Sequence, residues 1–139
     1  MNITILNPIR STVAFFAAIL VAASPVVAAE TSVASGSWSK KEYSVNGSWK
    51  IVEEDGVKKL KLVGFKTRSA PDLKIFFSPK SLSELNGKNA TSGSYKLVKL
   101  KSAKGDQTYT IPAGVDLDKY KSIVVHCEQY SKLWAGAAL

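Results

Sequence analysis

His126 and Cys127 stand side by side in the stretch "SIVVHCEQY", and neither residue type occurs anywhere else in the 139-residue chain. A thiol beside an imidazole suggests a nucleophile with its base, or two ligands of a soft metal ion. Spacing argues against both. The stretch reads as a β-strand, and successive strand side chains point to opposite faces. Ile123, Val125 and Cys127 therefore share one face, and Val124, His126 and Glu128 share the other. Partners that diverge serve neither one metal nor one proton transfer. A structural zinc or blue-copper centre would also need further His or Cys ligands, which the chain lacks, so no metal site is assigned.

Two readings of Cys127 stay open. On a face that begins with Ile123 and Val125, a cysteine is a small buried hydrophobe. Near the end of a strand, with Tyr130 and Trp134 following in "YSKLW", a thiol partly shielded by rings is within reach of a partner. One cysteine makes no intrachain disulfide, and without a CxxCH motif no c-type haem is attached covalently. His126 is expected on the outer face, exposed or half-buried. The acids of "EEDG" (Glu53–Gly56) belong to a solvated hairpin turn rather than to a paired-carboxylate site, and Asp116 and Asp118 stabilise the turn before Tyr120. Trp38, Tyr43, Trp49, Tyr130 and Trp134 are candidates to floor a ligand groove.

The elements that hold these residues are short strands. Turn signals recur every 8–15 residues from Gly36 onward, at Val45–Ser48, Glu53–Gly56, Ser69–Asp72, Leu85–Gly93, Ala103–Gln107 and Ile111–Asp116. Ser48–Val52 and Val57–Phe65 predict one hairpin, turned at Asp55-Gly56. Leu73, Ile75 and Phe77 share a face, with Lys74 opposite. Tyr95–Lys101 and Gln107–Pro112 predict a second hairpin, the first arm carrying a bulge or being a partly exposed strand because its alternation is imperfect. "KSIVVHCEQY" is the last clear strand. Helix is confined to one turn or two at "SPKSLSEL" and another turn at "DLDKY". The pattern predicts an all-β fold: a compact β-sandwich or partly open barrel of about eight short, mostly antiparallel strands.

Ahead of this lies an N-terminal secretory signal pattern. Arg10 is the only charge in the first ten residues, "TVAFFAAILVAA" is an apolar run, and small residues around Pro25 precede Glu30. Cleavage is placed after Ala29, giving a signal peptide over 1–29, a short flexible leader over 30–35 and a β-domain over 36–139. The product is expected to be secreted or periplasmic and not membrane-spanning after cleavage. Without Arg10 the 19 Lys and Arg become 18 against 11 Asp and Glu, a balance of +7. The lysines are diffuse, and Arg68 is the one arginine of this part. That distribution suits solubility and loose attraction to anionic surfaces, not nucleic-acid readout.

Several motifs in order, over about Gly36 to Leu139, resemble the DM13 domain, a small extracytoplasmic β-domain. They are "GSW" at Gly36–Trp38, "NGSWKIV", "LKLVGFKTRSAPDLKIFFS", "GDQTYTIPAGVDLDKYKSIVVHC" and the closing "YSKLWAGAAL". The resemblance implies electron transfer or redox chemistry, with Cys127 as the redox-active group; Tyr130 and Trp134, which follow it closely in the chain, and Tyr43 are the supporting candidates. It also implies a DOMON- or cytochrome-type partner whose haem supplies the cofactor. Two positions depart from the pattern: Tyr43 stands where the family often has His, and His126 where it often has Trp. The chain is thus expected to be a redox accessory rather than a stand-alone enzyme. The alternative is a non-catalytic binding module for polysaccharide or anionic envelope components, with Cys127 a core residue.

Overall fold

The structure, a computed structural model, describes residue 14 and residues 17–139. The charged start of the expected signal and part of its apolar run lie outside the described residues. Residues 17–30 have no regular secondary structure, and among the described residues no helix is long and apolar enough to cross a membrane.

Nine strands follow: β1 (Thr31–Ser37), β2 (Ser39–Lys40), β3 (Val45–Glu54), β4 (Val57–Thr67), β5 (Leu73–Ser78), β6 (Tyr95–Lys99), β7 (Gln107–Thr110), β8 (Ser122–Cys127) and β9 (Lys132–Ala138). They form two antiparallel sheets, ordered β1-β3-β4-β7 and β2-β9-β8-β5-β6. The fold is the expected all-β sandwich, with no barrel closure. Single 3₁₀ turns occur at Leu82–Glu84 and Leu117–Lys119, within the two stretches expected to be helical.

Alternation builds the core. Ile51, Leu60 and Leu62 from one sheet meet Ile75, Phe77, Ile123 and Val125 from the other, all essentially sealed from water. Burying each such side chain stabilises the fold by roughly 1.5–3 kcal/mol. The β3–β4 hairpin forms as its sequence predicts. Asp55 and Gly56 both take positive φ (51° and 75°), the conformation of a two-residue turn that matches strand twist.

Four expectations are corrected. Residues 31–35, read as a flexible leader, form most of β1, paired along β3 from Thr31↔Glu53 to Ser37↔Ser48. The turn expected at Val45–Ser48 does not form: the stretch runs on as β3, and the register shift between Asn46 and Ser48 places the extra residue on β4, opposite Gly47. The second hairpin does not form. β6 pairs with β5 in one sheet and β7 with β4 in the other, so residues 100–106 cross between sheets. The irregularity foreseen in β6 is present, as a register shift between Ile75 and Phe76. Finally, β8 is not the last strand: β9 pairs along it from Ser122↔Ala138 to Cys127↔Lys132. Its "WAGAA" core is too small and glycine-bearing to look like a strand. A Cβ added at Gly136 would lie 2.5 Å from Leu82 Cδ1, so the Leu82 side chain would have to move to admit any larger residue.

Candidate functional site

Cys127 ends β8, opposite Leu73 on β5 and Lys132 on β9. Its side chain shares the inter-sheet core with Ile123 and Val125, as alternation predicts, and is 0% exposed. The reading in which a partner touches the thiol directly is therefore not met by the folded chain.

Trp134 joins the same core through an irregularity of β9. The register runs Val125↔Ala135 and then His126↔Leu133, so Trp134 is the extra residue of a bulge. Such a bulge re-aims a side chain. Here it leaves both Trp134 and Ala135 in the inter-sheet cluster, while Leu133 turns outward. The Trp134 indole N–H donates to Thr67 Oγ1 at 2.9 Å, and the Thr67 hydroxyl donates to the Ser44 carbonyl at 2.8 Å. A residue of one sheet is thereby tied to a strand of the other.

Tyr43 lies over Trp134, ring centroids 4.1 Å apart and tilted by 42°. Its backbone N–H donates to the Trp134 carbonyl at 3.1 Å, which fixes the approach. On Tyr43 rests the Arg68 guanidinium, 5.4 Å from the ring centre, within cation–π range. The arrangement runs from the core that contains Cys127, through Trp134, to a half-buried Tyr43 under a surface cation. Of the four candidate site residues, the fold gathers Cys127, Trp134 and Tyr43 in and against one core. Tyr130 stands apart, 57% exposed on the β8–β9 turn.

The strand end that carries Cys127 is clamped by charge. Lys74 donates to Glu128 at 2.6 Å and bridges to Asp72 at 3.1 Å, and Lys96 reaches Glu128 at 2.9 Å. The Gln129 N–H donates to Asp72 at 3.0 Å. Hydrogen bonds from Lys74 and then Lys96 hold the Glu128 carboxyl at about 2, well below its ordinary 4.5. Two of the turn acids, Glu53 and Glu54, are likewise paired, Glu53 with Lys58 at 3.5 Å. Glu54 contacts Lys59 and Lys61, and Lys61 also meets Glu30.

His126 departs from expectation. It is on the outer face, as predicted, but only 2% exposed. A second small core of Phe76, Leu85, Ala90, Val124 and Leu133 occupies that face. Its Nε2 lies 2.8 Å from the Gly87 carbonyl; a carbonyl only accepts, so Nε2 carries the proton. Nδ1 is buried without a partner. The tryptophans among the five aromatic groove candidates do not floor a groove: Trp49 and Trp134 are buried and Trp38 packs on the core.

Thr67, Arg68, Asp72 and Glu128 were not singled out in the sequence. Nothing local marks them, since each acts on a residue brought in by strand pairing.

A family model described as "Electron transfer DM13" matches residues 37–139. No curated protein and no solved structure matches the chain.

Proposed function

The chain belongs to the electron transfer DM13 family, and we propose that it is an exported redox accessory that exchanges single electrons with a partner protein through the Tyr43–Trp134 pair. The ring contact at 4.1 Å carries this reading. It joins the sealed core around Cys127 to the surface, and an electron can cross a ring contact that no reagent can enter. Cys127 is the group assigned the change of oxidation state, on the strength of the family resemblance. One electron would leave the thiol by way of Trp134 and Tyr43, and an oxidised metal centre on the partner, such as a haem, would supply the matching one-electron acceptor. Charge balance requires the thiol proton to leave as well, and because the side chain is sealed its release goes with a transient loosening of the β8–β9 turn, smaller than the opening a reagent would need. Mixed-disulfide or sulfenic chemistry would instead require the strand end to open, because both need contact with sulfur. Export with cleavage after Ala29, and a DOMON- or cytochrome-type partner, complete the proposal.

Burial of Cys127 also favours a second reading, in which the thiol only fills the core and the domain is a non-catalytic binding module. Electron-exchange kinetics separate the two. With a photogenerated ruthenium(III) polypyridyl complex as oxidant, and Tyr130→Phe as background to silence the exposed ring, Tyr43→Phe and Trp134→Phe should each slow quenching several-fold. Unchanged rates in both variants would leave the binding module.

A further inference from the structure

On the outer side of the five-stranded sheet, a groove of about 580 Å³ opens between three segments: Lys41–Glu42 after β2, the loop Leu85–Lys88, and the β8–β9 turn Tyr130–Leu133. Its volume falls in the range of about 300–1,000 Å³ usual for ligand sites. Buried Leu85 and Leu133 supply an apolar base. Around it stand Lys41, Lys88 and Lys132, one acid, Glu42, and the exposed ring of Tyr130.

The charges do not cancel. Glu42 is committed to Lys132 at 2.8 Å. Lys41 and Lys88 enter no ion pair among the described residues. Two free ammonium groups therefore face an open cavity beside an aromatic face.

The walls are preformed. Asn86 Oδ1 accepts from the backbone N–H of Lys88 and Asn89, and Asn89 Oδ1 accepts from that of Asn86. Gly87 abuts the Ser131 carbonyl so closely that a Cβ has no room. The buried imidazole of His126 holds the Gly87 carbonyl from below. Ser131 keeps a positive φ of 50°, a conformation that costs a non-glycine residue of order 1 kcal/mol and tends to gather at functional sites. A site already ordered loses little entropy when a ligand enters.

We propose that this groove binds an acidic oligosaccharide, such as a uronic-acid polymer segment. The C–H face of a sugar ring packs on Tyr130, whose ring face is electron-rich. Sugar carboxylates pair with Lys41 and Lys88. The site is an open groove, which suits a chain laid along it. A single stacking aromatic and no arginine set it apart from a single-stranded nucleic-acid channel, which lines up several rings. The inference uses neither Cys127 nor the Tyr43–Trp134 pair, so it stands or falls separately from the redox proposal.

The test is calorimetric titration of the full domain with a galacturonic acid hexamer, and with maltohexaose as the neutral control. Saturable binding of the acidic hexamer alone is expected. A Lys41→Gln/Lys88→Gln double variant should weaken it at least about fivefold. Tyr130→Ala should weaken it similarly, and Lys104→Gln, at an exposed lysine outside the groove, should leave it unchanged. All of the groove substitutions are at exposed positions, and equal melting temperatures would verify folding. The proposal is overturned by no saturable binding, by equal binding of maltohexaose, or by undiminished binding in the double lysine variant. It is also overturned if only phosphatidylglycerol vesicles bind, which would make the groove a lipid site.

Discussion

Replacing Cys127 separates packing from chemistry. Cys127→Ala leaves a small void, and Cys127→Ser puts an unpaired hydroxyl in an apolar core, which costs about 1–3 kcal/mol. Urea unfolding should therefore rank wild type above Cys127→Ala, with Cys127→Ser the least stable. N-ethylmaleimide should modify the thiol only after unfolding, since the native side chain is 0% exposed; rapid native labelling would show an opening that the fold does not contain. Strand alternation made this face legible, because Ile123, Val125 and Cys127 do point to one core. It placed His126 on the other face but could not show that face covered. The covering residues Leu85 and Ala90 lie in a distant loop, and no local pattern encodes such an approach.

At the level of elements, charge holds what alternation alone leaves loose. Glu128 ties the end of β8 to β5 and β6 through Lys74 and Lys96. Its carboxyl titrates at about 2 in the folded chain against an ordinary 4.5. A depressed carboxylate contributes stability that is present in full above the ordinary value and is lost as pH falls through the folded one. Melting temperature should thus drop between about pH 4.5 and pH 2, and Glu128→Gln should show a shallower drop. Glu54, held at about 2 by Lys59 and Lys61, adds to the same window. Salt should shrink both effects, because these pairs are solvent-exposed. The β3–β4 hairpin could be read directly, since its turn residues and its alternation agree. β6 and β7 misled because two strands joined by a short loop resemble a hairpin, although here they leave for different sheets. β9 was missed because its small residues, Gly136 against Leu82 among them, remove the β-branched signal.

Across the whole molecule, two ties join the sheets near the candidate site: the shared core and the Trp134–Thr67 hydrogen bond. Residues 31–35 also belong to the folded unit, since β1 covers the free edge of β3 and Gly36 lies against the Trp49 ring. A chain starting at residue 38 should melt at least about 5 °C below one starting at residue 30, as followed by circular dichroism. Equal melting would mean that β1 is dispensable. The strand end bearing Cys127 and the neighbouring Trp134 could be anticipated from order in the chain. Stacking of Tyr43 on Trp134 could not, because it depends on a bulge in β9 and on a loop from the far side of the sequence.

The most direct test of an electron path from sulfur to surface is transient absorption after ruthenium(III) flash-quench of the Tyr130→Phe chain. The aromatic radical should decay several-fold more slowly once Cys127→Ala removes the electron donor behind it. Identical decay with and without the thiol would contradict the account and leave Cys127 a packing residue.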